Sequence, residues 1–152
     1  MKQKSILILG GSRFIGFSLL QKLNREGHEV SIFNRQITNP PLPFPANTLF
    51  LKGDRNNPDN LNEAFENKYD AVIDLSGHTE NHVLPIIKQF GSKVGHYLFI
   101  SSTTVYDEPV PYGVDEGHTR QHGLNVAGRS KSQTETLLFK EHGRGTFPVT
   151  VF

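Results

Sequence analysis

Residues 10 to 16 read GGSRFIG and come directly after a short apolar run. Glycines at a strand-to-helix turn let backbone N–H groups approach a pyrophosphate at the positive end of the helix dipole. Gly10 and Gly16 fit the outer places of a Gly-x-x-Gly-x-x-Gly pattern, and Arg13 occupies the middle place. The pattern predicts a dinucleotide-binding loop, with a plain strand–helix turn as the alternative. The predicted loop residues are Gly10, Gly11, Ser12, Arg13, Phe14, Ile15 and Gly16.

The second apolar run ends at Asn34 and Arg35. An acidic residue at this point would accept hydrogen bonds from the adenosine ribose hydroxyls of NAD. Asn34 lacks that charge, whereas the guanidinium of Arg35 suits a 2′-phosphate, with Arg13 as a second cation nearby. The sequence therefore predicts NADP as the cofactor and NAD as the alternative. Two solvated arginines are the competing interpretation.

Polar turns follow the next two apolar runs as well. In KGDRNN, Asp54 stands where a carboxylate can reach an adenine amino group, although a turn leading into a helix explains it equally well. In DLSGH, Leu75, Ser76 and Gly77 follow the fourth run. We expect these three residues to line the cofactor at the carboxyl edge of the sheet.

Composition excludes several classes of function. The 152 residues include 36% hydrophobic and 20% charged residues, which is typical of one soluble domain. The net charge of +1 gives no electrostatic footprint for nucleic acid or an anionic membrane. The absence of cysteine excludes disulfides, thiol catalysis and cysteine-based zinc sites. No apolar run near the N-terminus is long enough for a signal peptide or a membrane span, so we expect a cytoplasmic protein.

Two histidines have the spacing of metal ligands but lack the other features of a metal site. His78 and His82 are four residues apart, yet no third ligand is evident and the order is not His-Glu-x-x-His. We interpret them as solvated histidines near a helix start and predict no metal site.

Apolar runs of strand length alternate with segments of helical period, which predicts a parallel sheet covered by helices on both faces. The predicted strands are Ser5–Leu9, Val30–Phe33, Thr48–Leu51, Ala71–Leu75, Tyr97–Ser101 and Val149–Phe152. A helix is predicted from about Asn125 to His142, and a stiff proline-rich loop at Asn39–Pro45. The predicted fold is an α/β, Rossmann-like, doubly wound parallel sheet that stops after about the sixth strand.

Five segments follow one another across most of the chain: ILGGSRFIG, GDRNNPDNL, AVIDLSG, YLFISSTTVYDE and AGRSKSQTE. Together they resemble the extended short-chain dehydrogenase/reductase superfamily, in its NAD-dependent epimerase/dehydratase family. The resemblance implies a serine or threonine at the end of strand five and a Tyr-x-x-x-Lys pair on the next helix. It assigns Ser101 to cofactor binding, Ser102 to orienting a substrate oxygen, and Lys131 to catalysis and to binding the nicotinamide ribose.

The tyrosine place of that pair holds Ala127, one helical turn before Lys131. In such enzymes a phenolic oxygen exchanges a proton as hydride moves, and the lysine lowers the pKa of the phenol. Alanine carries no proton. We therefore expect no catalysis unless Tyr106 or Tyr112, in the loop after strand five, supplies the acid.

Three functions remain open from the sequence. The leading hypothesis is an NAD(P)-binding Rossmann domain over residues 1–152, epimerase/dehydratase- or reductase-like and related to sugar-nucleotide-modifying enzymes. The resemblance implies longer relatives, so a substrate-binding C-terminal part is expected to be absent and the substrate stays unknown. The alternatives are an NADPH-dependent oxidoreductase with another acid, and a non-catalytic NADP sensor or RNA-associated scaffold. An uncovered sheet edge at the sixth strand predicts a homo-oligomer.

Overall fold

The computed structural model describes residues 2–36, 43–107, 109–120 and 125–152. Most of the predicted proline-rich loop, residues 39–42, lies outside these ranges. The described residues form one parallel sheet with the strand order β3-β2-β1-β4-β5-β6. Its strands are β1 (Ser5–Leu9), β2 (Glu29–Asn34), β3 (Leu49–Lys52), β4 (Ala71–Asp74), β5 (Tyr97–Phe99) and β6 (Val149–Val151).

Helices follow β1, β3, β4 and β5. They are α1 (Phe14–Arg25), α2 (Pro58–Ala64), α3 (Glu80–Phe90) and α4 (Val126–Gly143), with short 3₁₀ turns at Gly91–Lys93 and Thr103–Val105. The predicted α/β, Rossmann-like parallel sheet is therefore confirmed. β5 ends two residues earlier than predicted, because regular pairing with β6 stops at Phe99. The N–H of Ser101 still donates to the carbonyl of Phe152 over 2.6 Å.

Alternate residues of β1 build two separate cores. Leu7 and Leu9 face the core shared with α2, α3 and α4, whereas Ile6 and Ile8 face the core shared with α1. This division follows from the two-residue period of a strand. Strands buried on both faces need the continuous apolar runs seen in the sequence.

The strand order reverses direction beside β1, because β2 and β3 extend to one side of it and β4, β5 and β6 to the other. In open parallel sheets, the loops at the carboxyl ends of the strands diverge at such a switch point and leave a crevice. Such a crevice is therefore expected between the turns that follow β1 and β4. Among the described residues, no helix combines the length and the hydropathy needed to cross a bilayer.

Candidate functional site

A cleft of about 460 Å³ opens at the carboxyl ends of β1, β2, β3 and β4. We call it the carboxyl-edge cleft. It brings together six residues that the sequence predicts as cofactor-binding: Gly10, Ser12, Asn34, Arg35, Asp54 and Ser76. The remaining predicted residues do not line it, and their positions follow below.

The glycines of the loop meet specific steric demands. Gly10 and Gly11 have φ of 101° and 86°, in the left-handed region that favours glycine. At Gly16, an added Cβ would stand 2.3 Å from the Cα of Gly11 and 2.7 Å from Cδ1 of Leu75. Gly16 thus allows α1 to pack directly on the loop, and Leu75 supports that contact instead of lining the cleft.

The first residues of α1 are exposed at the end of the loop. Arg13 occupies the N-cap position without a side-chain capping bond, and no acidic residue lies in the first turn. The side chains of Phe14 and Ile15 are 86% and 70% exposed. The helix therefore presents uncapped N–H groups and the positive end of its dipole, an arrangement suited to a phosphate.

The end of β2 is tied to the glycine loop by a side-chain amide. Nδ2 of Asn34 donates to the carbonyl of Gly10 over 3.3 Å, and Oδ1 of Asn34 accepts from the N–H of Gln36 over 2.8 Å. Arg35 is exposed at the rim of the cleft. Asn34 therefore has a structural role that the sequence did not reveal.

Asp54 forms a turn that leads into a helix, as one of the two interpretations of the sequence predicts. Its Oδ1 accepts from the backbone N–H of Asn56 over 2.9 Å and from Nδ2 of the same residue over 3.0 Å. The Asn56 N–H contributes most to lowering the pKa of Asp54, and Arg35 also lowers it. The turn interpretation is therefore confirmed, and the contact with an adenine amino group stays a prediction for a carboxylate that lines the cleft.

The floor of the cleft, where Arg55 is one of the lining residues, contains a buried ion pair that was not predicted from the sequence. Nη1 and Nη2 of Arg55 donate to Oδ1 and Oδ2 of Asp74, each over 2.8 Å. Nη1 also donates to Oγ of Ser76 over 3.0 Å, and Nη2 to the carbonyl of His82 over 2.9 Å. The hydroxyl of Tyr97 donates to Oδ2 of Asp74 over 2.5 Å. A buried carboxylate needs such partners, so the aspartate in the apolar segment AVID was the available signal.

Burial opposes the charge of Asp74 most strongly, but the guanidinium of Arg55, helped by the hydrogen bonds from Tyr97 and the Ser76 N–H, holds the pKa of that carboxyl below its ordinary value. Burial also opposes the charge of Arg55, whose pKa the carboxylate nevertheless raises. The pKa of Tyr97 lies well above its usual range, because of burial first and the nearby carboxylate second. The pair is therefore ionised and the phenol neutral at physiological pH.

The turn after β4 is built around the same carboxylate. Oδ1 of Asp74 accepts from the N–H groups of Ser76 over 3.0 Å and of Gly77 over 2.8 Å. A Cβ at Gly77 would lie 2.6 Å from Oδ2 of Asp74 and 2.7 Å from the ring of Phe99. Gly77 is therefore a packing residue of the cleft wall, and Ser76 is its cleft-facing neighbour.

His78 and His82 both line the cleft, and His82 is half-buried. The N–H of His78 donates to Nδ1 of His82 over 3.1 Å, so that imidazole nitrogen is unprotonated. Burial contributes most to lowering the pKa of His82, and Arg55 lowers it further. The interpretation of solvated histidines therefore misses that His82 holds the turn leading into α3.

The predicted catalytic residues lie beyond the cleft, around the carboxyl end of β5. Nζ of Lys131 donates to the carbonyl of Ile100 over 2.6 Å and lies 4.7 Å from the centre of the Phe99 ring. Burial lowers the pKa of Lys131. Oγ of Ser102 is exposed and accepts from Oγ1 of Thr104 over 2.9 Å.

Ser101 and Ala127 complete this group. Oγ of Ser101 is buried and has no hydrogen-bond partner among the described residues. Ala127 is exposed in the first turn of α4, where the side chain of Asn125 caps its N–H over 3.1 Å. α4 thus exposes Ala127 in its first turn and buries Lys131 one turn later.

Comparison with known proteins places this geometry in a family. The sequence profile described as the NAD dependent epimerase/dehydratase family matches residues 6–151. The chain belongs to this family.

Two curated family relatives show how much of such proteins the chain represents. It is 32% identical to the chloroplast stem-loop binding protein of 41 kDa b from Arabidopsis thaliana, over 88% of this chain and 37% of that protein. It is 29% identical to UDP-glucose 4-epimerase from Neisseria meningitidis serogroup B, over 89% of this chain and 47% of that protein. The chain thus spans less than half the length of these relatives.

Solved structures confirm the fold. The Bordetella bronchiseptica enzyme WbmG in complex with NAD and UDP superposes with a TM-score of 0.83 at 19% identity, over 99% of this chain and 52% of that chain. UDP-glucose 4-epimerase from Bifidobacterium longum in complex with NAD+ and UDP gives 0.80 at 20% identity, over 96% of this chain and 51% of that chain.

In this member of the epimerase/dehydratase family, the loop after β5 is docked on α4. Nε of Arg120 donates to Oε2 of the buried Glu135 over 2.8 Å, and Tyr106 pairs with Arg120 through the backbone. Tyr106 is half-buried, while Tyr112 is fully exposed. Glu135 was not among the predicted residues, although the segment SKSQTE places a carboxylate one helical turn after Lys131.

Proposed function

We propose that residues 1–152 form the NAD(P)-binding domain of an epimerase/dehydratase- or reductase-like protein related to sugar-nucleotide-modifying enzymes. The observation that carries the proposal is the carboxyl-edge cleft at the switch point of the sheet. Its glycine turn has the left-handed backbone that lets N–H groups face a ligand, and α1 starts uncapped beside it. NAD in the solved relatives supports the same class of cofactor.

The preferred cofactor in this proposal is NADP. Arg35 is exposed at the rim of the cleft, next to an uncharged Asn34 whose amide is already bonded to Gly10. A guanidinium binds a 2′-phosphate through charge-assisted hydrogen bonds, whereas no carboxylate follows β2 to accept from a 2′-hydroxyl. The carboxylate of Asp54 serves the adenine amino group.

The catalytic set in this proposal is incomplete. Lys131 holds the nicotinamide ribose, Ser101 contacts the cofactor and Ser102 orients a substrate oxygen. A bound nicotinamide would exchange hydride, but the position that should exchange the accompanying proton is Ala127. Loss of a general acid costs on the order of 10² to 10⁴ in rate. We therefore propose a domain that binds its cofactor and does not turn over on its own.

Calorimetry and an absorbance assay test this proposal. NADPH and NADH are titrated into the protein, and NADPH oxidation is followed with a panel of carbonyl compounds and sugar nucleotides. We expect binding of both cofactors, tighter for NADPH, and no turnover by the unaltered chain or by Ala127→Tyr. Absence of binding refutes the domain assignment. Turnover by the unaltered chain refutes the role given to Ala127 and favours an oxidoreductase that uses Tyr106 or Tyr112 as acid.

A second function is a non-catalytic RNA-associated scaffold that senses NADP. The 32% identity with a chloroplast stem-loop binding protein favours it. The net charge of +1 predicts weak RNA binding, because affinity for a phosphate backbone depends on many basic side chains. Mobility-shift titration of a stem-loop RNA at physiological salt, with and without NADPH, tests it. A shift at micromolar protein would favour the scaffold.

A further inference from the structure

We infer that Arg55 is a positioning residue for the carboxyl-edge cleft: by holding the Asp74 carboxylate, it fixes the Ser76–Gly77 turn that forms one wall. The inference deepens the proposed function, because that wall would face a bound dinucleotide. Arg55 follows β3, Asp74 ends β4 and Tyr97 begins β5. Together with Tyr97, the pair therefore joins three strands at the floor of the cleft.

Arg55 and Asp74 meet in a two-point contact with little freedom. Both terminal nitrogens of Arg55 face the two carboxylate oxygens at 2.8 Å, and the side chains are 9% and 0% exposed. Planar pairing of this kind fixes orientation as well as distance. The carboxylate can therefore hold its other partners in one geometry.

Those other partners are the backbone of the cleft wall. Oδ1 of Asp74 also accepts from the N–H groups of Ser76 and Gly77. The guanidinium also donates to Oγ of Ser76 and to the carbonyl of His82 at the start of α3. The hydroxyl of Ser76 in turn donates to the carbonyl of Leu9 over 3.2 Å. Leu9, Ser76 and His82 all line the cleft. One arginine thus connects the ends of β1 and β4 with the beginning of α3.

Arg55 is not a phosphate ligand. Each of its terminal nitrogens already donates to two protein acceptors, and its Nε is buried without a partner among the described residues. Arg35, in contrast, is exposed at the rim of the same cleft. Loss of Arg55 should therefore weaken NADPH and NADH by the same factor, whereas loss of Arg35 should weaken NADPH alone.

Removing the guanidinium changes the carboxylate itself. A buried carboxylate without its cation becomes protonated or draws in water, because desolvation strongly disfavours the isolated charge. In either case Oδ1 of Asp74 becomes a weaker acceptor for the two N–H groups. The amides of Ser76 and Gly77 should then exchange with solvent more readily, with or without a bound ligand.

The experiment compares Arg55→Lys, Arg55→Met and the double variant Arg55→Met with Asp74→Leu. Amide exchange at Ser76 and Gly77 is measured by NMR, with the amide of Leu7 in β1 as the internal control. Affinities for NADPH and NADH are measured by calorimetry, with Arg35→Gln as the matched arginine control. Thermal unfolding is recorded for every variant.

We expect Arg55→Met to accelerate exchange at Gly77 and to weaken both cofactors by at least about tenfold, the equivalent of one charge-assisted hydrogen bond. Arg55→Lys should restore part of the exchange protection at Gly77 and part of the cofactor affinity, because it keeps the positive charge but not the two-point contact with the carboxylate. The double variant should regain thermal stability, since removing both charges avoids an unpaired one, yet its cofactor affinity should stay low. A double variant with restored thermal stability but low cofactor affinity distinguishes a positioning role of Arg55 from support of the fold alone.

Wild-type affinity in a folded double variant would overturn the inference, as would unchanged Gly77 exchange in Arg55→Lys and Arg55→Met. A selective loss of NADPH in Arg55→Lys would overturn it too, because Arg55 would then be a phosphate ligand. An unaltered chain that binds neither cofactor refutes the proposed function instead. In that case exchange at Gly77 still decides whether Arg55 positions the turn.

Discussion

The ammonium of Lys131 donates to the carbonyl oxygen of Ile100 over 2.6 Å, immediately after β5 has ended. The lysine is 8% exposed, and its ring neighbour Phe99 is fully buried. A helix side chain thus holds the end of a strand. The same ammonium can keep this bond and donate to a second acceptor, since a lysine has three donors.

Lys131→Met should affect ligand binding more than stability. Burial of the ammonium is unfavourable, as its lowered pKa indicates, so its removal offsets part of the lost bond to Ile100. If Lys131 holds the nicotinamide ribose, both NADPH and NADH should weaken by about 1.5–3 kcal/mol, the range for hydrogen bonds to a charged group. Calorimetry measures this, with the exposed Lys140→Met on the same helix as control. Equal affinity in the two variants would contradict the proposed role.

Gly16→Ala should be strongly destabilising. The new Cβ would overlap the backbone of Gly11 at 2.3 Å, so α1 must move away from the loop. Overpacking of this kind costs about 1–3 kcal/mol, and more when backbone must shift. Gly143→Ala is the matched control, because it also lies in a helix and an added Cβ there meets nothing within 4 Å. Urea unfolding of both variants would refute this account if they were equally stable.

Arg35→Gln should lower the affinity for NADPH by about 1–3 kcal/mol and leave NADH nearly unchanged, since only NADPH carries the 2′-phosphate. The exposed Arg129→Gln on α4 controls for the general loss of a positive charge. Calorimetric titrations of the three proteins measure both affinities. Equal affinities for NADPH and NADH in the unaltered chain would exclude the proposed preference.

His82 should make the protein less stable as the pH falls. Its pKa is below the ordinary 6.5, because of burial and then Arg55, while Asp74 and Asp54 oppose this and His78 adds to it. The unfolded chain therefore binds this proton more readily, and the free energy of unfolding decreases as the pH drops from 6.5 towards the lowered pKa. Urea unfolding between about pH 7 and pH 5 should show a smaller decrease for His82→Gln. His118→Gln, at a histidine outside the cleft, controls for the general effect of replacing a histidine.

The sequence predicted the features that depend on local pattern. Apolar runs located all six strands, and the glycine spacing located the turn where Gly16 packs on Gly11. The sequence did not predict the contacts of Asp74 with Arg55 and Tyr97. These two residues are 19 and 23 positions away from Asp74 along the chain, and only the topology of the sheet brings them together. Asn34 illustrates the same limit: its position was predicted, but its bond to Gly10 depends on how β1 and β2 pair. The roles of Ser102 and Lys131 stay predictions.

The two arginines of the cleft should respond differently to ionic strength. Salt screens exposed charges over a Debye length of about 8 Å at physiological concentration but has little effect on buried pairs. The Arg55–Asp74 pair is buried, so the shape of the cleft should be the same in dilute and in concentrated salt. The exposed Arg35 is more accessible to screening. Added salt should therefore weaken NADPH more than NADH, so that any preference for NADPH becomes smaller as the ionic strength rises.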